Sequence, residues 1–317
     1  MKAALLNKIG GIPTCEECMD PAENNAGECI LHVKASAVKQ LDKAKAAGKH
    51  YTSYEMLPAI VGTDGVGILN DGTAIYTMQP GLLAEKALVK RQECIPIPAN
   101  VNFAVAAALP NALIGSDAAL LLRAKIQQGA VVLVNGATGV SGKVAVQAAK
   151  LRGASKVIVT GRNAETLDAL KALGADEAIS LLQPKDDFIA QVRAINMETP
   201  IDIVLDYLWG QPMEMIFTAI RTSKPYPVKV ILIGEMAGPN ITLSSGLFRS
   251  TKIELLGSGI GSIAMPDLFA YMKQNLPEML NHVIAGKLKI DVEEFAINEV
   301  EKAWLIQEAG KRVVITF

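Results

Sequence analysis

Residues 131–150 constrain the fold more than any other stretch of the chain. An apolar β-type run, Val131 to Val134, breaks into a turn with glycines at 136, 139 and 142. It re-forms as a helix carrying Val140, Val144 and Ala148 on one face. Glycines at a strand-to-helix junction let the backbone approach a pyrophosphate, and the helix start offers unpaired N–H groups to its charge. The stretch therefore predicts a dinucleotide-binding turn made by Gly136, Ala137, Thr138, Gly139, Val140 and Ser141.

What surrounds the turn must be large enough to hold it. At 317 residues the chain has room for two domains, each with its own core. Half of its residues are hydrophobic and the net charge is −1, which excludes a disordered chain and leaves no basic footprint for nucleic acid. The apolar run Ala3–Leu6 is too short for a secretory h-region and is interrupted by Asn7-Lys8. Residues 103–122 approach the length of a membrane span, but Pro110, Asn111 and Asp117 lie within them, so two buried helical pieces are expected. The expectation is a soluble, cytoplasmic protein with no membrane partner. Cys15, Cys18, Cys29 and His32 have a zinc-like spacing. Glu28–Val33 reads as a strand, however, and residues three apart on a strand point to opposite faces, so no metal is expected there.

Beyond the turn, strand and helix signals alternate. Strands are predicted at Lys156–Thr160, Glu177–Leu181, Ile201–Asp206, Val228–Gly234 and Ile253–Gly257, with helices at Asn163–Leu173 and Asp186–Ile195. With Val131–Val134 this makes an α/β fold, a Rossmann doubly wound six-stranded parallel sheet over residues 111–264. The N-terminal part reads as β segments, Lys2–Leu6, Glu28–Ala35, Gly65–Leu69 and Ala74–Met78, joined by Gly, Pro and Asn turns. Mixed elements close the chain: helix 265–285, strand 293–297, helix 299–308 and strand 312–317. Residues 1–110 and 265–317 are thus expected to share a β-rich domain.

Cofactor choice is read at the end of the second strand. An NAD-binding fold usually places Asp or Glu there for the ribose hydroxyls, but this chain has Thr160-Gly161-Arg162-Asn163, with no acid before Glu165. A guanidinium pairs with a 2′-phosphate, which a carboxylate would repel. NADP(H) is therefore expected, with Gly161, Arg162 and Asn163 at the phosphate. The alternative is that Arg162 is an ordinary surface arginine. Ligands lie beyond the carboxyl ends of parallel strands, which adds Tyr207, Gly234, Gly257 and Ser258, following Asp206 and neighbouring Glu235, as candidate contacts. Packing and turn geometry are competing explanations for each.

The order of a β-rich domain, the turn Gly136-Ala-Thr-Gly139-Val-Ser-Gly142, then Leu173-Gly174-Ala175-Asp176 and the closing Gly310-Lys311-Arg312-Val313-Val314 resembles the medium-chain dehydrogenase/reductase superfamily. The likeness is to its zinc-independent quinone oxidoreductase branch and spans essentially the whole chain. It implies a GroES-like catalytic domain built from both termini. In the zinc branch a Cys shortly before an Asp is the first metal ligand; here Lys39 precedes Asp42. The Gly-His-Glu motif reads Gly62-Thr63-Asp64, the third ligand falls near Asn111, and of a four-cysteine structural lobe only Cys94 remains.

The resemblance thus implies a zinc-independent, NADPH-dependent oxidoreductase acting on a small quinone or enone. It also places a tyrosine ahead of the Gly-x-Asp segment, matched best by Tyr51 and next by Tyr54, as a hydrogen-bond donor to the acceptor oxygen. Lys39 would stand near that oxygen as an oxyanion stabiliser or be merely solvated. Val38-Lys39-Gln40 and Leu113-Ile114-Gly115 depart from the branch's Val-Asn-Pro and Gly-Leu-Thr, which leaves the acceptor open. The rivals are an enoyl or alkenal reductase, and a cofactor-binding structural or regulatory protein with little turnover. A homodimer through the edge strand Ile253–Gly257 is also implied.

Overall fold

The structure, a computed structural model, describes residues 1–23, 25–50, 52–221, 226–307 and 310–317, the side chain of Ile260 excepted. The chain divides into two compact units, Met1–Pro110 with Ala270–Phe317, and Asn111–Phe269. In chain order the first unit opens with β1 (Lys2–Leu6), β2 (Thr14–Glu17), β3 (Glu28–Val38), α1 (Gln40–Ala46), β4 (Ala59–Ile60) and β5 (Gly65–Leu69). It continues with β6 (Ala74–Thr77), β7 (Lys86–Lys90), β8 (Ile95–Pro96) and α2 (Phe103–Ile114). Then come β9 (Val131–Asn135), α3 (Val140–Leu151), β10 (Lys156–Gly161), α4 (Ala164–Ala169), β11 (Glu177–Ser180) and α5 (Lys185–Glu198). These are followed by β12 (Ile203–Asp206), α6 (Gly210–Ile220), β13 (Val228–Leu232), α7 (Ser245–Ser250), β14 (Ile253–Gly257) and α8 (Met265–Ile284). The chain closes with β15 (Val292–Ala296), α9 (Val300–Leu305) and β16 (Arg312–Thr316).

The second unit is built on a six-stranded sheet in the order β11-β10-β9-β12-β13-β14, with every neighbouring pair parallel. Its four inner strands, β10, β9, β12 and β13, are short apolar runs largely buried on both faces, as a sheet covered by helices requires, whereas the edge strands β11 and β14 are partly exposed. Alternate residues sort into two cores. Val132, Val134, Val157 and Val159 pack against Ala145 and Ala148 of α3, whereas Val131, Leu133 and Ile158 pack against Phe188 of α5 and Met213 of α6. Fully burying one such valine or leucine stabilises the fold by about 1.5–3 kcal/mol. Leu133→Ala would cost about 2–5 kcal/mol, because the cavity adds to the lost transfer energy.

Three local features shape the elements around this sheet. α4 starts where the Asn163 side chain accepts from Thr166 N at 2.8 Å, and its 3₁₀ extension stops at Gly174, whose φ of +107° a side chain would resist. β13 ends at Leu232, short of the expected Gly234, because Ile233 N and Gly234 N both turn to the Asp206 carbonyl. The apolar stretch after Pro110 ends α2 at Ile114 and re-forms as one π-helical turn, Ala119–Ala124, before Lys125 reverses the chain at φ +53°. Most of the window 103–124 is buried inside the protein. Asp117, buried beside that turn, takes a two-pronged pair from Arg152 at 2.7 and 2.9 Å.

In the first unit a three-stranded sheet runs β2-β1-β4, and a larger sheet runs β15-β16-β3-β5-β6-β8, with β7 paired to β3. β16 pairs antiparallel with β3, so the C-terminal strand joins the N-terminal sheet. β3 alternates, with Cys29, Leu31 and Val33 turned inward, until a bulge between Val33 and Ala35 shifts its register.

Candidate cofactor and active site

The dinucleotide turn forms as its residue pattern demands. Gly136 has φ +90°, and a Cβ there would also sit 2.8 Å from Leu208 Cγ. A Cβ on Gly142 would meet Gly136 O and Ala137 Cα at 2.6 Å, so α3 can approach β9 only with glycine there. Gly139 is the N-cap of α3 with no side-chain cap, and a Cβ built on it meets nothing within 4 Å. The turn is thus walled by protein at Gly136 and Gly142 and open at Gly139. The N–H groups of Val140, Ser141 and Gly142 lack intrahelical partners, as at every helix start, and the helix dipole favours an anion in front of them. Ala137 N, by contrast, is taken by Thr160 O at 2.9 Å.

At the end of β10, Arg162 is exposed and makes no hydrogen bond or ion pair among the described residues. Asn163 uses its side-chain oxygen to cap α4, which leaves its amide N–H₂ as the group able to face a phosphate. Gly161 is glycine for packing, since a Cβ there would overlap Thr138 Cγ2. Tyr207 is also committed to the protein: its hydroxyl donates to Gly115 O at 2.5 Å, and burial pushes its pKa far up. Gly234 is needed because a Cβ would lie 2.7 Å from Tyr207 O. The carbonyl of Gly257 accepts from Arg123 Nε at 2.8 Å. Ser258 differs: it is 3% exposed, and its hydroxyl has no hydrogen-bond partner, which suits an atom awaiting a ligand.

The turn, Arg162 and Ser258 thus follow β9, β10 and β14, at the carboxyl end of one parallel sheet, while Tyr207 and Gly234 shape the backbone between them. Their chemistry fits a dinucleotide carrying a 2′-phosphate: donors and a dipole for the pyrophosphate, and an unengaged guanidinium with no acid beside it. Sequence reasoning missed Asn135 and Thr160, and took Asp206 only as a strand tail. The three are fully buried and hydrogen-bonded to one another beneath the turn.

The first unit holds a second polar cluster. Lys39 is 2% exposed, and its ammonium donates to Asp64 Oδ1 at 2.5 Å and Ala37 O at 3.0 Å and pairs with Asp42 Oδ2 at 3.1 Å. Tyr76 OH donates to the other Asp64 oxygen at 3.0 Å, and Thr63 Oγ1 donates to Asp42 Oδ1 at 2.9 Å. Burial by itself would lower the Lys39 pKa, but Asp42 and Asp64 reverse that and hold it above the ordinary lysine value. Burial raises Asp64, with Asp42 beside it, because one ammonium serves two carboxylates. The expectation that Lys39 is solvated or stands ready for an oxyanion fails here, since its three N–H donors are already engaged. Tyr51 lies outside the described residues. The hydroxyl of Tyr54 is buried and makes no well-formed hydrogen bond; burial together with the Asp42 charge pushes its pKa up to about 12, against a smaller opposing pull from the Gly62 backbone.

These residues do not fit a catalytic zinc. The place of the first ligand holds an ammonium, which repels a cation, and Thr63 stands where the imidazole would be. Among the described residues no group of three or more His, Cys, Asp or Glu side chains converges to hold a metal ion. Cys29 turns into the core of β3, and His32, on the opposite face, meets Asn70 Oδ1 at 2.9 Å.

Comparison with known proteins supports the dinucleotide-binding fold. A family model described as zinc-binding dehydrogenase matches residues 141–279. The chain is 26% identical over 345 residues to "Probable NADPH-dependent quinone reductase tdiC" of Emericella nidulans, covering 96% of each. It is 32% identical over 203 residues to the chloroplastic NADPH-dependent alkenal/one oxidoreductase of Arabidopsis thaliana, covering 56% of this chain and 52% of that protein. Among solved structures, the quinone oxidoreductase of Thermus thermophilus, also solved in complex with NADPH, superposes with a TM-score of 0.83 at 25% identity, covering all of both chains. Fold, glycine turn and full-length similarity converge, and the chain belongs to the medium-chain dehydrogenase/reductase superfamily, in its quinone oxidoreductase-like branch.

Proposed function

We propose that this protein is an NADPH-dependent, zinc-independent oxidoreductase that transfers hydride to a quinone or an α,β-unsaturated carbonyl compound. One observation carries the cofactor assignment: a glycine turn open only at Gly139 leads into α3, while the next strand ends in the exposed, unpaired Arg162 instead of an acid. The names of the relatives, NADPH-dependent quinone reductase and alkenal/one oxidoreductase, support the same reading. When bound, NADPH supplies the hydride.

Residues of the chain bind and orient. The N–H groups at the start of α3 hold the pyrophosphate, Arg162 and the Asn163 amide hold the 2′-phosphate, and the Ser258 hydroxyl meets the cofactor from the end of β14. The proposed hydrogen-bond donor to the acceptor oxygen is a phenol of the 51–54 segment. Tyr54, whose hydroxyl makes no well-formed hydrogen bond, is favoured, and Tyr51 is tested beside it. An acceptor that delocalises charge makes this weak electrophilic help sufficient, and water supplies the final proton. Lys39 serves as a fixed internal cation rather than as a group that meets substrate.

A homodimer through β14 is part of the proposal. That strand ends the sheet, its outer edge carries no strand among the described residues, and Leu255 on it is exposed. The four unpaired cysteines suit a reducing compartment such as the cytoplasm. The test is a fluorescence titration of the purified protein with NADPH and with NADH. Tighter binding of NADPH is expected; equal affinity for both, or none for either, would overturn the assignment.

A further inference from the structure

Three strands of the Rossmann sheet close on a polar residue: β9 on Asn135, β12 on Asp206, and β10 on Thr160 followed by Gly161. The sheet register lines them up, since Asn135 is the cross-strand partner of Thr160 on one side and of Asp206 on the other. Partners in register point to the same face, and all three are completely buried. They form one continuous chain of hydrogen bonds. Asn135 Nδ2 donates to Asp206 Oδ1 at 2.8 Å, Thr160 Oγ1 donates to Asn135 Oδ1 at 2.6 Å, and Gly136 N donates to Thr160 Oγ1 at 3.1 Å. The chain ends on the first glycine of the dinucleotide turn.

Its other end holds a strained loop. Asp206 Oδ1 also accepts from Leu208 N at 3.0 Å and Trp209 N at 3.1 Å. Trp209 has φ +55°, a conformation that costs a non-glycine residue energy and persists only when its surroundings impose it. Leu208 in turn covers Gly136, so the loop after β12 packs directly on the turn after β9. Every group facing Asp206 is a donor, which suits the ionised carboxylate even though burial raises its pKa.

Resting on the NADPH reading above, we propose that Thr160, Asn135 and Asp206 are positioning residues for the dinucleotide. They hold Gly136 N–H turned into the sheet, so that the donors left facing the ligand are those at the start of α3, and they tie that turn to the 207–210 loop. None of the three touches the cofactor in this scheme. Because the relay acts on the turn and not on the 2′-phosphate, it serves NADPH and NADH alike.

The test measures affinity for both dinucleotides by fluorescence titration, together with steady-state kinetics, on wild type, Thr160→Val, Thr160→Ser and Asp206→Asn. Thr160→Val keeps the shape but removes the hydroxyl, leaving Gly136 N–H and Asn135 Oδ1 without their partner. It is expected to weaken both dinucleotides by a similar factor, about tenfold, raising KM for NADPH with kcat largely kept. Thr160→Ser, which restores the hydroxyl, is expected to recover most of that loss, and Asp206→Asn to weaken binding in the same direction. Unchanged affinity in Thr160→Val overturns the relay, as does a loss confined to NADPH or one that serine does not rescue. If Thr160→Val and Asp206→Asn both fail to fold, the row is structural and the positioning role is withdrawn. If wild type binds neither dinucleotide, the NADPH reading itself fails and the relay falls with it.

Discussion

The Lys39 ammonium lies 2.5 Å from Asp64 Oδ1, with both side chains almost wholly removed from water. Buried charges are tolerated when paired and fully hydrogen-bonded, and this pair is closed by Ala37 O, Asp42 and Tyr76. By the resemblance, Lys39 stands where a zinc-dependent member carries a cysteine, and Thr63-Asp64 where it carries a histidine and a glutamate. The arrangement puts a paired, buried cation where the first metal ligand of such a member would stand.

Removing that cation should damage the fold before anything else. Lys39→Met leaves two buried carboxylates facing each other and is expected to lower unfolding free energy by about 3–5 kcal/mol. Adding Asp64→Asn to the same chain should recover part of the loss, because the two effects are coupled. Urea denaturation of the three variants checks this; equal stability of Lys39→Met and wild type would contradict the ion cluster.

Arg162 is expected to decide between the two nicotinamide cofactors. Arg162→Ala removes the charge-assisted hydrogen bonds to a 2′-phosphate and should weaken NADPH by about 1.5–3 kcal/mol while leaving NADH nearly unchanged. Isothermal titration with each cofactor measures both values. A parallel loss of both would show that Arg162 supports the fold rather than the phosphate.

Two glycines of one turn should behave oppositely. Gly142→Ala forces a Cβ against Gly136 O and should destabilise the protein by about 1–3 kcal/mol, through overpacking against the backbone. Gly139→Ala places its methyl in open space, so the melting temperature should hold while dinucleotide affinity falls. Thermal unfolding and cofactor titration on the two variants separate these effects. Unchanged NADPH affinity in Gly139→Ala would mean the pyrophosphate lies elsewhere.

The phenol of Tyr54 should remain protonated far into the alkaline range. Its pKa rises from about 10 unfolded to about 12 folded, so between those values the folded chain keeps a proton that the unfolded chain has lost. Its contribution to stability is therefore complete below pH 10 and disappears as pH climbs through about 12. Tyr54→Phe should lose stability less steeply than wild type across this window, and its kcat on a quinone or enone should fall while KM for NADPH holds. An unchanged kcat would move the donor role to Tyr51.

Much of the dinucleotide unit was legible because its signals are local. Val131–Val134, the glycine triplet and the amphipathic α3 declare themselves within twenty residues, and the apolar strand cores recur at the spacing of a helix crossover. α1 and α6 escaped notice for want of an ordinary start. α1 is capped from inside, by Asp42 accepting from Lys39 N, and α6 follows the positive-φ Trp209 without a capping side chain. The site was harder, because its partnerships are long-range. That Val131–Asn135, Val157–Thr160 and Ile203–Asp206 each close on a polar residue is visible in the sequence, but only sheet register brings those residues together. Likewise Lys39 reads as an oxyanion stabiliser or a solvated residue until the fold places Asp42 and Asp64 beside it.

The most direct test of a metal-free NADPH oxidoreductase is to strip the purified protein with a strong chelator, verify its zinc content by elemental analysis, and follow NADPH oxidation with a panel of small quinones and enones. Turnover of at least one acceptor, unchanged by stripping and unaffected by added zinc, is the expected result. Activity that vanishes on stripping and returns with stoichiometric zinc would contradict the account.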